Sequence, residues 1–152
     1  MSELLQIQKH HLVKVLPDQI AADWTIIRNS IYQSLAPTAV PSEESMSNIL
    51  KALLSGTMIC WYHHRDGRIA AIMTTVVMDD DFSGSKNLLI YSFFAMTNLE
   101  YEDYDYMWDI LGRYGKAKGY YQLIAYTNDP KISKVIARVA PEGAYTMYVK
   151  EF

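Results

Sequence analysis

Two adjacent histidine pairs are the residues of this chain best suited to metal or acid–base chemistry. His10 is followed directly by His11, and His63 by His64, in or beside segments whose branched and aromatic residues predict strands. Neighbouring residues on a strand point to opposite faces, so neither pair can bind one metal ion from a single face. The sequence therefore predicts surface or edge histidines and no metal site.

Nucleophilic catalysis has weak support in the sequence. Cys60 is the single cysteine and stands in the apolar run Met58–Tyr62. No cationic residue adjoins it to lower its pKa, which predicts a small buried side chain with an unreactive thiol. The chain also lacks the Gly-x-Ser-x-Gly elbow that marks many serine hydrolases. A hydrolase is therefore disfavoured.

Two acidic segments could attract cations. Asp79–Asp81 lacks the spaced ligands and the distal glutamate of a calcium-binding loop, so we expect a solvated hairpin tip. Glu100, Glu102 and Asp103 stand at the start of a predicted helix. Carboxylates at that position complement the helix dipole. The sequence therefore predicts a solvent-exposed first helical turn.

The elements that position these residues follow from hydrophobic periodicity and from turn residues. The segment Asn87–Thr97 is apolar on both faces, so we expect it at the centre of the sheet. In chain order the sequence predicts a strand at His11–Leu16, a helix from Pro17 to Leu35, a helix capped by Ser42 and closed by Gly56, strands at Met58–His64 and Ile69–Val77 joined by Asp66-Gly67, the strand Asn87–Thr97, a helix at Glu102–Lys118, a strand at Tyr120–Thr127, a helix at Pro130–Val139 and a last strand at Tyr145–Phe152.

Size and composition fit a single globular domain spanning residues 1–152. Half of the 152 residues are hydrophobic, the net charge is −3 and the pI is near 5.7. This charge gives no general attraction to nucleic acid or to anionic lipid. No run approaches the ~20 apolar residues that cross a bilayer. We therefore expect a cytoplasmic protein with neither nucleic acid nor membrane as a partner.

Aromatic residues are concentrated in and beside one predicted helix. The chain has 12 tyrosines and 3 tryptophans, and several of them fall between Tyr101 and Tyr114. Tyr106 lies off the helical face that Tyr101, Tyr104 and Trp108 share, which predicts exposed aromatic surface. Such surface is enriched at protein interfaces. The segment Tyr101–Tyr114 therefore predicts a protein partner, and a homo-oligomer is a separate expectation.

The order of the elements resembles the GNAT (N-acetyltransferase) superfamily over nearly the whole chain. Gly119 before the Tyr120–Thr127 strand, Asn128 after it, and Gly143 ahead of Tyr148-Val149-Lys150-Glu151 are similar to pieces of that family. The resemblance implies an α/β (α+β) fold with a mixed, mostly antiparallel central sheet flanked by helices. It also implies an acyltransferase that moves an acetyl or acyl group from coenzyme A to an amine.

The resemblance also implies a location for the cofactor. In that family the end of the central strand holds the pantetheine arm of acetyl-coenzyme A, and a glycine-rich turn at a helix N-terminus holds the diphosphate. Carried onto this sequence, the cofactor contacts fall at Phe94, Ala95, Met96 and Asn128. No metal is implied.

The family carries its general-acid tyrosine at positions that correspond closely to Val135 and Ile136 here, and neither of these side chains can transfer a proton. The resemblance therefore implies Glu100 or Tyr148 for proton transfer.

The segment aligned with the diphosphate turn, 98–104, has no glycine and no arginine but three carboxylates. At an effective dielectric of about 20, two like unit charges roughly 4 Å apart repel by about 4 kcal/mol. Binding of the diphosphate in the family's manner is therefore disfavoured.

Two functions stay open on this evidence. The first is an acyltransferase-like enzyme that works without the usual diphosphate turn. The second is a catalytically inactive GNAT-like structural or interaction module, for example a viral or assembly component. A tyrosine-rich nucleic-acid binder ranks below both, because the chain lacks the basic groove that accompanies stacking rings.

Overall fold

A computed structural model of the protein describes residues 9–35, 39–127, 129–139, 143–145 and 147–152. They form five helices and five strands. The elements are β1 (His10–Lys14), α1 (Pro17–Ala22), α2 (Trp24–Gln33), α3 (Glu43–Ser55), β2 (Met58–Arg65), β3 (Arg68–Asp79), β4 (Lys86–Ala95), α4 (Tyr101–Ala117), β5 (Gln122–Ala125) and α5 (Pro130–Val139).

One sheet with the strand order β1-β2-β3-β4-β5 forms the middle of the molecule. The first four strands are mutually antiparallel, and β5 runs parallel to β4. This arrangement confirms the mixed, mostly antiparallel sheet that the sequence predicted. The central strand is β3, whose residues 70–75 are all buried. The expectation that Asn87–Thr97 is the centre is therefore wrong, since β4 is the fourth strand and borders the short β5.

Helices cover both faces of the sheet. Helices α1, α2 and α3 pack on one face, and α4 packs on the other, which gives two separate hydrophobic clusters. Complete burial of an aliphatic or aromatic side chain stabilises the fold by about 1.5–3 kcal/mol. The first cluster includes Ile20, Ile27, Ile31, Met46, Leu53, Cys60 and Ile72, and the second includes Leu12, Trp61, Met73, Leu88, Met107 and Leu111.

Cys60 lies within the first cluster, as the sequence predicted. Its side chain is fully buried and unpaired by any disulfide. Burial raises the pKa of the thiol to about 12, with a smaller contribution from the negative charge of Asp23. The thiol is therefore protonated at neutral pH, which confirms the expectation of an unreactive core side chain.

Local signals in the sequence place several turns correctly. The hydroxyl of Ser42 accepts a hydrogen bond from the N–H of Ser45 at 3.0 Å and caps α3. Gly56 ends that helix with φ at 86°. Asp66 and Gly67 both adopt positive φ, at 52° and 78°, and form the predicted hairpin between β2 and β3.

The predicted helix from Pro17 to Leu35 is broken at Asp23 into α1 and α2. The carboxylate of Asp23 accepts hydrogen bonds from Gln19 Nε2 and from the hydroxyl of Tyr62, each at 2.7 Å. The break therefore anchors this helical layer to β2. Periodicity alone did not reveal it, because the same apolar stripe continues through both helices.

The predicted last strand, Tyr145–Phe152, is wrong for the described part of that segment. Residues 143–145 and 147–152 have no regular secondary structure. The side chains of Tyr145 and Tyr148 are 95% and 91% exposed. A strand in this position would lack a buried face to hold its register.

Replacement of Ser42 by Ala is expected to lower the free energy of unfolding by about 1 kcal/mol, because the first N–H groups of α3 lose their side-chain acceptor. Urea unfolding followed by circular dichroism measures the change. The matched control is Ser47→Ala, an exposed serine inside the same helix, which should shift stability by no more than about 0.5 kcal/mol. Equal effects of the two changes would contradict the capping role.

Candidate functional site

Strands β4 and β5 pair along only part of β4 and then separate. Residues Asn87–Ile90 pair with Gln122–Ala125, where β5 ends, while β4 continues to Ala95. A register shift against β3 leaves Tyr91 as an extra residue in β4. A bulge of this kind bends its strand. In the part of the chain that is described, the outer edge of β4 beyond Ile90 thus has no neighbouring strand.

The backbone groups on this open edge can be assigned from the pairing. The N–H of Met96 donates to the carbonyl of Ala70 at 2.8 Å, so it points toward β3. Hydrogen-bonding direction alternates along an antiparallel strand. Phe93 and Ala95 therefore direct their N–H and C=O groups away from β3, toward the open edge. Phe94, Ala95 and Met96 are the strand residues predicted to contact a cofactor. The backbone groups of Ala95 point to the open edge, whereas those of Phe94 point toward β3 and the N–H of Met96 is already bonded to Ala70.

The other predicted site residues are Glu100, Tyr148 and Asn128. Asn128 lies outside the described residues. Glu100 immediately precedes α4 and is exposed, and Tyr148 is exposed in the C-terminal segment. Among the described residues, no hydrogen bond or ion pair joins Glu100 to Tyr148. The role of either residue in proton transfer stays a prediction.

A buried carboxylate lies at the start of α4. The side chain of Asp103 has no exposed surface. Its Oδ2 accepts hydrogen bonds from the backbone N–H of Glu100 at 2.7 Å and from Arg65 Nη1 at 2.6 Å. Its Oδ1 lies 3.1 Å from His63 Nε2 and 3.1 Å from His10 Nδ1. The expectation of a solvated first turn is therefore wrong for Asp103, although Glu100 and Glu102 are exposed.

The two histidines come from different adjacent pairs. Strand pairing sets His10 opposite Arg65 and His11 opposite His64. Since alternate residues share a face, His10 and His63 face α4, while His11 and His64 face the other side. His63 is 1% exposed, so the prediction of surface histidines is wrong for it. The missed signal was the register between two strands, which brings one member of each pair together.

The rings of this cluster stack, and burial and neighbouring groups shift the pKa values of His63 and Asp103. The ring of His10 stacks on those of His63 and Tyr106, with centroids 5.5 Å apart in both cases. Burial lowers the pKa of His63 and outweighs the opposing effect of Asp103. Burial raises the pKa of Asp103, but the N–H of Glu100, His63 and the charge of Arg65 together hold that pKa below its ordinary value. At neutral pH the cluster holds an ionised carboxylate against a neutral His63.

Tyr106 is half-buried against these rings, so it does not supply the exposed aromatic surface that the sequence predicted. Among the aromatic residues of α4, Tyr101 is the large exposed side chain, at 54%. The protein partner predicted for Tyr101–Tyr114 stays a prediction. Tyr101 is the most exposed aromatic residue of this segment.

Helix α5 brings positive charge to the start of α4. The guanidinium carbon of Arg138 lies 4.3 Å from the ring centroid of Tyr101, and Arg138 Nη2 is 3.7 Å from Asp105 Oδ2. Lys131 and Lys134 precede Arg138 by seven and four residues, so the three cations share one helical face. The sequence did not indicate Arg138, because this residue is distant in the chain from segment 98–104.

Tyr104 lies beside the open edge of β4. Its ring centroid is 5.9 Å from that of Phe93. Burial, together with the negative charges of Asp129 and Asp103, raises the pKa of the Tyr104 phenol above its ordinary value. The phenol is thus fully protonated at neutral pH and can donate a hydrogen bond.

Comparison with known proteins identifies the fold. No family model and no curated protein matches the sequence significantly. Solved structures do match, and the protein has a GNAT-like fold. A predicted acetyltransferase with acetyl-CoA from Clostridium acetobutylicum is 11% identical with a TM-score of 0.66, over 94% of this chain and 96% of that one. Ribosomal-protein-alanine N-acetyltransferase from Brucella melitensis biovar Abortus 2308 is 11% identical with a TM-score of 0.66, over 94% and 99%.

A third structure, AAC(6')-Iy in complex with the bisubstrate analogue CoA-S-monomethyl-acetylneamine, is 13% identical with a TM-score of 0.65, over 94% and 98% of the two chains. These likenesses span almost the full length of both partners in each comparison. They establish the architecture that the sequence order predicted. Within the described chain, no helix combines the length and apolarity that crossing a bilayer requires.

Truncation of Asp103 to Ala is expected to destabilise the protein by about 3–5 kcal/mol, because the partly buried Arg65 would lose its counter-charge. Chemical denaturation with and without the change measures this loss. Asp109→Ala is the matched control, since Asp109 is exposed on the same helix and pairs with Arg113 at i,i+4. It should cost about 0.5 kcal/mol or less. A loss below 1 kcal/mol for Asp103→Ala would contradict the role given to this carboxylate.

Proposed function

We propose that the protein is an acyltransferase-like enzyme that binds an acyl-coenzyme A along the open edge of β4 and transfers the acyl group to an amine. The observation that carries the proposal is the separation of β4 from β5 beyond Ile90. A pantetheine arm contains two amide groups. It can therefore pair with the outward N–H and C=O groups of Phe93 and Ala95 in the way an added strand pairs with a sheet edge.

In this proposal the phosphates of the cofactor meet α5 rather than the start of α4. Asp103 already accepts the N–H of Glu100, and Glu102 adds a further negative charge nearby. Arg138 supplies a guanidinium next to Tyr101 on the facing helix. Bonds between arginine and phosphate are charge-assisted and often bidentate, so one arginine can replace part of a glycine-rich turn. A neighbour of the same fold was solved with acetyl-CoA, which supports acyl-coenzyme A as the ligand class.

The reaction in this proposal is direct acyl transfer. The amine nitrogen attacks the thioester carbonyl, a C–N bond forms, the C–S bond breaks, the nitrogen loses a proton and the thiolate of coenzyme A gains one. Glu100 and Tyr148 are the groups predicted to handle a proton, and both are accessible to solvent. Asn128 is predicted beside the thiol end. Tyr104, whose phenol stays protonated, lies nearer the arm and contributes to binding.

A second candidate function is a catalytically inactive structural or interaction module of the same fold. The observation that favours it is the internal anion at the start of α4, because Asp103 takes the position at which this fold class otherwise offers backbone N–H groups to phosphate. The two candidates differ in one measurable property, the affinity for an acyl thioester.

Calorimetric titration at moderate salt with acetyl-coenzyme A and with S-acetylpantetheine separates the candidates. The enzyme proposal expects acetyl-coenzyme A to bind with a Kd tighter than about 100 μM, about −5.5 kcal/mol, and S-acetylpantetheine to bind more weakly but measurably. Absence of heat with both ligands, together with an unchanged melting temperature at millimolar concentration, would overturn it. That result would support the inactive module.

The change Arg138→Ala tests the position of the phosphates. It is expected to weaken acetyl-coenzyme A binding by about tenfold, about 1.4 kcal/mol, and to leave S-acetylpantetheine binding unchanged. Arg113→Ala is the matched control, because Arg113 is exposed on α4 and pairs with Asp109. An equal loss with both ligands would show that Arg138 acts on the fold rather than on the phosphates.

The change Tyr148→Phe tests the proton donor. It is expected to lower kcat by at least about tenfold while Kd for acetyl-coenzyme A stays the same, since only the transition state would use the hydroxyl. Release of free thiol in the presence of an excess of a simple primary amine measures the rate. An unchanged kcat would remove Tyr148 from the mechanism and leave Glu100→Gln as the next variant to measure.

A further inference from the structure

We infer that His10, His63 and Asp103 form a binding site for a divalent transition-metal ion of the zinc class. One ligand atom from each of the three side chains lies within 4.8 Å of the other two. Two imidazole nitrogens and one carboxylate oxygen are the donor set that zinc, cobalt and nickel prefer over magnesium and calcium. This inference does not depend on acyltransferase activity.

Unsatisfied buried atoms support the site. Among the residues that the structure describes, neither ring nitrogen of His10 has a hydrogen-bond partner. His10 Nδ1 is 3.1 Å from Asp103 Oδ1 without the geometry of a hydrogen bond. A buried polar atom without a partner carries a desolvation cost of about 1–3 kcal/mol. An ion beside Oδ1 would give the lone pair of His10 Nδ1 a partner.

The surrounding residues orient the three donors. The N–H of Glu100 and Arg65 Nη1 hold Asp103 Oδ2, which leaves Oδ1 turned toward both imidazole rings. Glu102 Oε2 lies 3.8 Å from His10 Nε2, on the far side of the ring from Asp103. At 3.8 Å this carboxylate makes no hydrogen bond to the ring, but a small shift would place it where zinc sites commonly carry a carboxylate that fixes the ligating imidazole.

The charge around the cluster sets the expected strength of binding. Asp103 and Glu102 are negative, whereas Arg65 and Lys9 are positive and contact these same two carboxylates. The four charges cancel, so the protein offers the ion little net attraction beyond the ligand bonds. We therefore expect micromolar rather than picomolar affinity for Zn²⁺.

The position of the cluster gives the ion a structural role. The three ligands belong to β1, β2 and α4, and Arg65 Nη2 also donates to the carbonyl of Asn98 in the loop before α4. An ion here would join the edge of the sheet to the start of the helix. Because it would bind the folded chain and not the unfolded one, it would raise thermal stability in proportion to the logarithm of its concentration.

Titration of chelator-treated protein with Zn²⁺ in a calorimeter, and with Co²⁺ followed by visible absorption, tests the inference. The expected result is one ion per chain and the visible bands of Co²⁺ with nitrogen and oxygen ligands. His10→Ala should weaken binding at least about tenfold. The matched control is His11→Ala, since His11 is exposed on the opposite face, and it should change the affinity less than twofold.

His63→Gln provides a second variant that keeps the buried volume, with circular dichroism to verify folding. It is also expected to abolish the Co²⁺ bands. Failure of the unmodified protein to bind either ion at millimolar concentration would overturn the inference. So would undiminished binding by His10→Ala, or a loss confined to His11→Ala, which would place the ion at His11 and His64 instead.

Discussion

The buried carboxylate of Asp103 is the interaction on which this end of the molecule depends. A carboxylate without exposed surface is stable only when charged or polar partners replace its hydration. Here the partners come from two directions: Arg65 and His63 from β2, and the backbone of Glu100 from the turn before α4. The position of α4 on the sheet is therefore specified by polar geometry as well as by its apolar stripe.

The architecture and the ligand preference depend on different parts of the molecule. The GNAT-like fold supplies a sheet that opens between β4 and β5, and that opening follows from the Tyr91 bulge and from the shortness of β5. The opening is a property of backbone pairing, so it persists when side chains change. The charge at the start of α4 depends on side chains. In this chain those side chains are the Asp103 carboxylate and the Arg65 guanidinium that neutralises it. Fold and ligand preference can thus diverge within one scaffold.

Much of the fold could be predicted because its signals are local. Ser42, Gly56 and Asp66-Gly67 act within a few residues of themselves, and the apolar runs of β2, β3 and β4 are visible without any partner. The break at Asp23 leaves the apolar stripe unchanged, so it could not be predicted in this way, and one hydrogen bond that Asp23 accepts comes from Tyr62, 39 residues away. The prediction of a last strand was wrong because local strand propensity does not show whether a segment has a buried face to cover.

The candidate site was less predictable than the fold. The cofactor contact expected at Ala95 followed from the resemblance, but the direction of its backbone groups required the observed bond from Met96 to Ala70. The cluster of His10, His63 and Asp103 depends on the register of β1 against β2 and on the packing of α4 on the sheet. Neither can be predicted from a single sequence. Arg138 reaches Tyr101 only because α5 lies beside α4.

The bond from the Glu100 N–H to Asp103 has a consequence for conformational entropy. A turn that is held only by its ligand loses its backbone freedom when the ligand arrives, and this loss weakens binding. The turn before α4 is held by Asp103 and by the contact of Arg65 with Asn98, so it loses that freedom when the chain folds. Any molecule that docks against this turn meets a surface that is already ordered, and its affinity reflects complementarity to that fixed shape.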